Sequence, residues 1–131
     1  MALLGIHVIA DFFECDSSVI NNIESVEKIL TESVIISGAT LIKPFFHRFS
    51  PQGISGIIVV AESHFSIHTW PEHSAAAVDI FSCGDFNHIA ALKLIKEKIK
   101  SANNSVVQIA RNSIQSNDAN NPDLQYKKII L

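Results

Sequence analysis

Three short segments with strand-like composition follow one another in the middle of the chain, and they constrain the fold most. Residues 54–61 and 75–81 are rich in Val, Ile and Ala, residues 64–70 alternate polar with apolar or β-forming residues, and only two and four residues separate the three segments. Links this short cannot hold a crossover helix, so consecutive strands must run antiparallel. The middle of the chain therefore predicts strands of an antiparallel sheet.

The flanking segments predict two helices and three more strands. After a first strand over 4–13, apolar residues recur at helical spacing and predict a helix over about 17–36. A second helix is predicted over about 87–101 by the same kind of spacing. The two remaining strands are predicted over 39–49 and 105–111.

This order of elements predicts an α+β two-layer sandwich with a mainly antiparallel sheet and two helices packed on one face. Pro44 within the second strand cannot donate to a ladder, so that strand is expected at an edge or with a bulge. With 131 residues the chain is expected to form a single domain, residues 1–112. Residues 113–131 form a polar tail rich in Asn, Ser, Gln and Asp, which predicts little fixed structure apart from docking by Ile129–Leu131.

The charge and the composition exclude several classes of function. A net charge of −3 argues against nucleic acid as a partner, because phosphate binding needs a clustered positive field. No signal peptide and no run long enough to span a membrane is found, which predicts a cytoplasmic protein without a membrane partner. Cys15 and Cys83 are not in a Cys-x-x-Cys pair, so both are expected to be free thiols.

Polar groups are unusually dense between residues 59 and 85, which contain four serines, two glutamates, two aspartates, three histidines and a thiol among apolar residues. Each polar group in a buried strand costs desolvation energy unless it finds a partner, so this density favours a functional site. Periodicity alone equally permits a half-buried strand with a polar solvent face. His64 and His68 have a helical ligand spacing, but their β-forming neighbours disfavour a helix, and no metal is expected.

Strand alternation separates two of the polar residues in this stretch. His64, Ser66, His68 and Trp70 share one face of a regular strand, and Ser63 lies on the other. Ser63 and His68 could therefore cooperate within one chain only if the strand bends or bulges near residues 62–65.

Several motifs occur in a fixed order around this stretch. They are Phe12-Phe13-Glu14-Cys15-Asp16, Ser37-Gly38-Ala39, Phe46-His47-Arg48-Phe49, Gly53-Ile54-Ser55-Gly56, Glu62-Ser63-His64, Ser66-Ile67-His68-Thr69-Trp70-Pro71-Glu72, Ala77-Val78-Asp79 and Cys83-Gly84-Asp85. Together they resemble the short bacterial S-adenosylmethionine decarboxylase proenzymes, which are self-cleaving, pyruvoyl-dependent decarboxylases. The resemblance covers about residues 3–112.

The resemblance implies a role for each of five residues. Ser63 would attack the Glu62 carbonyl, and cleavage between them would convert Ser63 into a covalent pyruvoyl cofactor that forms a Schiff base with the substrate. His68 would accept the proton during processing, and Ser55 would help by hydrogen bonding. Cys83 would donate the proton that completes decarboxylation.

The residues themselves leave simpler interpretations open. Ser63 could be an ordinary strand hydroxyl, His68 a structural histidine, and Cys83 a small apolar residue at a strand end. Cys15 is expected to be such an apolar residue.

The resemblance also implies a substrate and an assembly. The substrate would be S-adenosylmethionine, decarboxylated for spermidine synthesis by a homodimer of processed α/β protomers. Phe49 and Trp70 suit stacking on adenine or facing a sulfonium cation, and Glu72 suits the ribose hydroxyls. All three could equally be residues at a strand edge.

The chain departs from the usual family pattern in three places. Ser74-Ala75 stands where Gly-Tyr is common, Ile6 stands where Arg is common, and Asn and Ser replace most of a basic C-terminal region. These departures leave room for a pyruvoyl decarboxylase of the same fold that acts on ornithine or arginine. A non-catalytic partner subunit of the same fold is a further alternative.

Overall fold

The computed structural model describes residues 3–83, 85–113 and 126–131, which form one antiparallel sheet with helices on one face. The strands are β1 Leu3–Phe13, β2 Leu41–Arg48, β3 Ile54–Val60, β4 Ser63–Trp70, β5 Ala75–Ser82, β6 Asn103–Ser113 and β7 Tyr126–Ile129. The helices are α1 Ser17–Ile20, α2 Ile23–Ser37 and α3 His88–Lys98, with a 3₁₀ turn at Pro71–His73. The spatial order β2-β3-β4-β5-β1-β6-β7 is antiparallel at every pairing, so the predicted α+β sandwich is confirmed.

The segment predicted as one helix over 17–36 forms two helices. Asn22 has an extended backbone, and its side chain accepts a hydrogen bond from the Ser25 N–H, which caps a new helix. Helix α2 ends at Gly38, whose φ of 86° lies in the left-handed region that glycine adopts without strain. The two asparagines at 21 and 22 therefore divide the predicted helix.

The helices cover one face of the sheet and leave the other open. Alternate residues of the central strands, such as Phe12, Phe65 and Ile67, are fully buried against α2 and α3. The opposite face, which we call the open face, is less buried along the same strands, as the alternating burial of β3 and β5 illustrates. Polar and apolar side chains from five neighbouring strands are thus displayed together on this face.

Strand β2 lies at an edge of the sheet and contains Pro44. Its pairing with β3 also shifts register between Leu41 and Lys43. The edge position, one of the two alternatives expected from the proline, is confirmed.

The C-terminal segment adds a strand that the sequence did not predict. Residues Tyr126–Ile129 pair with β6, so the expectation of little fixed structure is wrong for them, because β6 offers them a free ladder edge. Ile129 and Leu131 pack against the core, which confirms the expected docking. The rest of the tail, 114–125, lies outside the described residues. Within the described part of the chain, no helix has the length and apolar character needed to cross a membrane.

Candidate active site

The link between β3 and β4 contains the predicted scissile bond, Glu62–Ser63. Ser63 has a φ of 151°, a backbone conformation that residues other than glycine rarely adopt. Conformations of this kind cost on the order of 1–3 kcal/mol and persist where surrounding contacts impose them. The strain therefore lies at the bond where cleavage was predicted.

Cys83 holds the carbonyl group of that bond. Strand β5 ends beside the start of β4, where Ser82 pairs with Ser63. The main-chain N–H of Cys83 donates to the Glu62 carbonyl oxygen at 3.0 Å, and the thiol sulfur lies 3.1 Å from the same oxygen. Two donors on one carbonyl polarise it and can stabilise negative charge that develops there. We call Glu62, Ser63 and Cys83 the cleavage cluster.

Ser55 and His68 form a second pair on the open face. They lie directly opposite each other on β3 and β4, and Ser55 Oγ is 2.7 Å from His68 Nδ1. His68 is exposed, so its imidazole is accessible. Ser55 fixes the orientation of a ring that could accept a proton.

The residues predicted to bind substrate line a cleft beside this pair. Phe49, Trp70 and Glu72 border a cavity of about 310 Å³ together with Ser55 and His68. Gln52, which sequence reasoning missed, donates from Nε2 to Glu72 Oε2 at 3.0 Å. We call this region the base cleft. It combines aromatic faces, a carboxylate and a histidine, a set suited to a nucleoside bearing an amine.

The cleavage cluster and the base cleft lie apart within one chain. Strand β4 keeps an unbroken register with both neighbours from Ser63 to His68, so the bend or bulge that cooperation within one chain would require is absent there. His68 is five positions beyond Ser63 on the strand, which corresponds to a span of about 16 Å. The nearest described histidine to Ser63 Oγ is instead His64, with Nδ1 at 3.4 Å.

A polar trio that sequence reasoning missed lies on the open face between these two regions. His7 Nε2 is 3.1 Å from Asp79 Oδ2, and His64 Nε2 is 4.0 Å from the same oxygen. The other Asp79 oxygen accepts a hydrogen bond from Ser66. The potential metal-ligand atoms of His7, His64 and Asp79 lie within 4.8 Å of one another, which is close enough to hold a metal ion. The hydrogen bonds from Ser66 and His7 already satisfy the Asp79 carboxylate, however. Sequence spacing could not reveal the trio because sheet pairing alone brings β1, β4 and β5 together.

The two cysteines occupy different environments, and both are free thiols. Cys15 is buried, and desolvation raises the pKa of its thiol, although a hydrogen bond with Ser101 opposes the shift. The expectation that Cys15 is an apolar core residue is confirmed. Cys83 is exposed beside the scissile bond.

The chain matches known proteins over most of its length. Residues 6–112 match the sequence profile of the S-adenosylmethionine decarboxylase family. The chain belongs to this family. A relative named S-adenosylmethionine decarboxylase proenzyme from Thermosipho melanesiensis is 45% identical over 112 residues, which are 85% of this chain and 86% of the relative. A proenzyme of the same name from Caldicellulosiruptor saccharolyticus is also 45% identical, over 85% of this chain and 90% of that one.

Solved structures of S-adenosylmethionine decarboxylases agree with this fold. The adenosylmethionine decarboxylase from Aquifex aeolicus superposes with a TM-score of 0.81 at 31% identity, over 92% of this chain and 99% of that one. A Trypanosoma brucei AdoMetDC chain has a TM-score of 0.61 at 12% identity, over 79% of this chain and 45% of that one, and shows the shared fold alone. The family profile spans every candidate site residue from Phe49 to Cys83.

Proposed function

We propose that this chain is a proenzyme that cuts itself between Glu62 and Ser63 and then decarboxylates S-adenosylmethionine. The observation that carries the proposal is the Glu62 carbonyl, which accepts from both donors of Cys83 at the strained Ser63. The product would be the decarboxylated sulfonium compound, which serves spermidine synthesis, together with carbon dioxide.

The first step is an N-to-O acyl shift at the cleavage cluster. Ser63 Oγ attacks the Glu62 carbonyl carbon, the peptide C–N bond breaks, and an ester and a free amine replace the peptide. The N–H and thiol of Cys83 would stabilise the negative charge on the carbonyl oxygen during this attack. Release of the unusual Ser63 φ would favour the forward direction.

The second step is an elimination that needs a base. Removal of the Ser63 α-proton forms a double bond from Cα to Cβ and breaks the Cβ–Oγ bond, so that Glu62 leaves as a carboxylate. The resulting dehydroalanine, an enamine, takes up a proton at Cβ and becomes an imine, which water hydrolyses to release ammonia and leave a pyruvoyl group at residue 63. We assign proton removal to His68: when its Nδ1–H donates to Ser55, Nε2 is free to accept the proton.

The base would come from a second copy of the chain. About 16 Å of unbroken strand separates Ser63 from His68, too far for proton transfer within one chain. The open face also carries exposed apolar side chains, among them Ile9, Ile57 and Val59, as expected of a surface that another protein covers. A homodimer that pairs the cleavage cluster of each protomer with the base cleft of its partner would complete two active sites.

The mature site would use the same residues for decarboxylation. A pyruvoyl ketone supplies an electron sink once it has condensed with the substrate amine. Cys83 would give the proton that replaces the lost carboxylate, since a thiol can both donate and regain a proton near neutral pH. Phe49 and Trp70 would hold the adenine or the sulfonium, and Glu72 the ribose hydroxyls.

One observation favours a basic amino acid as a second candidate substrate. Ala75 lies opposite Trp70 in the strand pairing, so a small side chain stands beside the base cleft where a tyrosine is common in the family. Ser74 before it has a φ of 50°, a conformation that glycine adopts more readily. The altered shape leaves room for ornithine or arginine in place of the nucleoside.

Carbon dioxide release separates these possibilities. Processed protein would be supplied in turn with S-adenosylmethionine, ornithine, arginine and lysine, with and without prior borohydride reduction. We expect turnover with S-adenosylmethionine that borohydride abolishes. Turnover with ornithine or arginine alone would establish the second candidate, and no turnover with any of the four, together with no borohydride-sensitive carbonyl, would indicate a non-catalytic subunit. We place the reaction in the cytoplasm, where free thiols such as Cys15 and Cys83 stay reduced.

A further inference from the structure

We infer that Glu62 is a positioning residue for self-cleavage. Its side chain anchors the N-terminal side of the scissile bond to the start of β2. The inference rests on the proposed function, since it concerns the same bond. It assigns to the Glu62 side chain a role separate from that of the Glu62 carbonyl.

The anchor joins Glu62 to Thr40. Thr40 accepts a hydrogen bond from the Ala61 N–H at 2.9 Å, as expected at the end of the β2–β3 ladder. Its own N–H donates to Glu62 Oε1 at 3.0 Å instead of to a main-chain carbonyl. The Glu62 carboxylate thus takes the place of a ladder acceptor and is fixed to the edge strand.

The Glu62 carbonyl is held on the other side of the same residue. It accepts from the N–H and thiol of Cys83, which follows β5, whereas Thr40 precedes β2. Because β2 and β5 lie on opposite sides of the β3–β4 pair, Glu62 is fixed between two elements that belong to different parts of the sheet.

Two anchors at one residue restrict the rotation of the scissile peptide. A hydroxyl attacks a carbonyl efficiently only when the reacting atoms are held close together in the right orientation. If the Thr40 contact were lost, Glu62 could rotate about its backbone, and the carbonyl would leave its two donors part of the time. The first step of processing, the acyl shift, would then slow.

The contact needs an oxygen acceptor at the end of a side chain of this length. A hydrogen bond to a carboxylate is stronger than one to a neutral group, but a neutral carbonyl oxygen at the same position still accepts. Glu62→Gln therefore preserves the anchor and Glu62→Ala removes it. Both keep the Glu62 carbonyl and its two donors from Cys83.

The test measures processing by intact mass over time, starting from freshly translated precursor. We expect Glu62→Ala to process roughly tenfold more slowly than the natural protein, the loss expected for one hydrogen bond of this kind, and Glu62→Gln within about threefold of it. Adding hydroxylamine, which cleaves esters, should yield less chain cut at residue 62 from Glu62→Ala than from the natural protein at equal times. Glu27→Ala, which removes an exposed carboxylate on α2, is the matched control and should process normally.

The melting temperature distinguishes a positioning role of Glu62 from a role in holding the fold together. On a Ser63→Ala background, which cannot cleave, Glu62→Ala should stay folded, with a melting temperature lowered by no more than the few degrees that one hydrogen bond contributes. The inference is overturned if Glu62→Ala processes at the natural rate, or if Glu62→Gln is as slow as Glu62→Ala. A natural protein that never cleaves would instead overturn the proposed function.

Discussion

The thiol of Cys83 lies 3.1 Å from the carbonyl oxygen of Glu62, and the main-chain N–H of Cys83 donates to that oxygen at 3.0 Å. A residue expected to act only after maturation thus already contacts the scissile bond of the precursor. The same thiol would then act twice, first on the carbonyl of its own chain and later on the substrate. The two groups meet because β4 and β5 form an antiparallel pair, which brings the end of β5 beside the start of β4.

Substitution of Cys83 should affect the two reactions differently. Cys83→Ala removes the thiol and keeps the N–H, so we expect processing to slow roughly tenfold through the loss of one of two donors. Decarboxylation by the fraction that matures should fall about 100-fold or more, because no other residue of the cluster gives a proton. Cys83→Ser keeps a hydroxyl donor and should process faster than Cys83→Ala. Intact mass and carbon dioxide release measure the two rates, and processing of Cys83→Ala at the natural rate would count against a role for the thiol in cleavage.

Mixed dimers should reveal whether each site contains residues of two chains. Ser63→Ala lacks the nucleophile and His68→Ala lacks the base, so neither should process when expressed alone. Co-expressed, they should form dimers in which Ser63 of one protomer meets His68 of the other, and only the His68→Ala chain should be cleaved. Mass spectrometry of tagged chains identifies which chain is cut. Failure of the mixture to cleave, while mixed dimers are present, would argue for a site within a single chain.

The open face should carry the dimer contact. Ile57 is 39% exposed on that face, so Ile57→Lys would bury a charge in the interface, and we expect a monomer that does not process. Ile35 on α2 is 67% exposed on the helical side, and Ile35→Lys is the control that should stay dimeric. Light scattering gives the mass in solution. A dimeric, fully processed Ile57→Lys protein would place the interface elsewhere.

The cap of α1 should contribute stability that depends on pH. A hydrogen bond from the Ser18 hydroxyl, and then one from the Val19 N–H, lower the pKa of the Asp16 carboxyl. Because the folded value lies below the unfolded value of about 3.9, this stabilisation is complete above the unfolded pKa and is lost as the pH falls through the folded one. The melting temperature of Asp16→Ala should therefore lie below that of the natural protein at pH 7, and the difference should shrink in acid. Asp16→Asn is the control variant that retains a hydrogen-bond acceptor without the charge. If the melting temperature of Asp16→Ala stayed below that of the natural protein by the same amount down to pH 2, the result would contradict this assignment.

Sequence patterns predicted what depends on neighbouring residues and missed what depends on register. The alternation of β4 placed His68 and Trp70 on one face, as the structure has them, because strand parity is a local property. The contact between Thr40 and Glu62 and the trio around Asp79 could not be predicted, since they depend on which residues of separate strands face each other. Strand β7 was missed because its stability comes from pairing with β6 and not from its own composition. The roles of Ser63 and Cys83 came from resemblance, and the structure adds the carbonyl that connects them.

Intact mass spectrometry of the purified protein tests the central claim most directly. If Ser63 cuts the chain and becomes a ketone, two species should be found, residues 1–62 and residues 63–131, the second lighter by one ammonia than a chain that begins with serine. A Ser63→Ala protein should remain whole. A single intact chain in protein that decarboxylates S-adenosylmethionine would contradict the account.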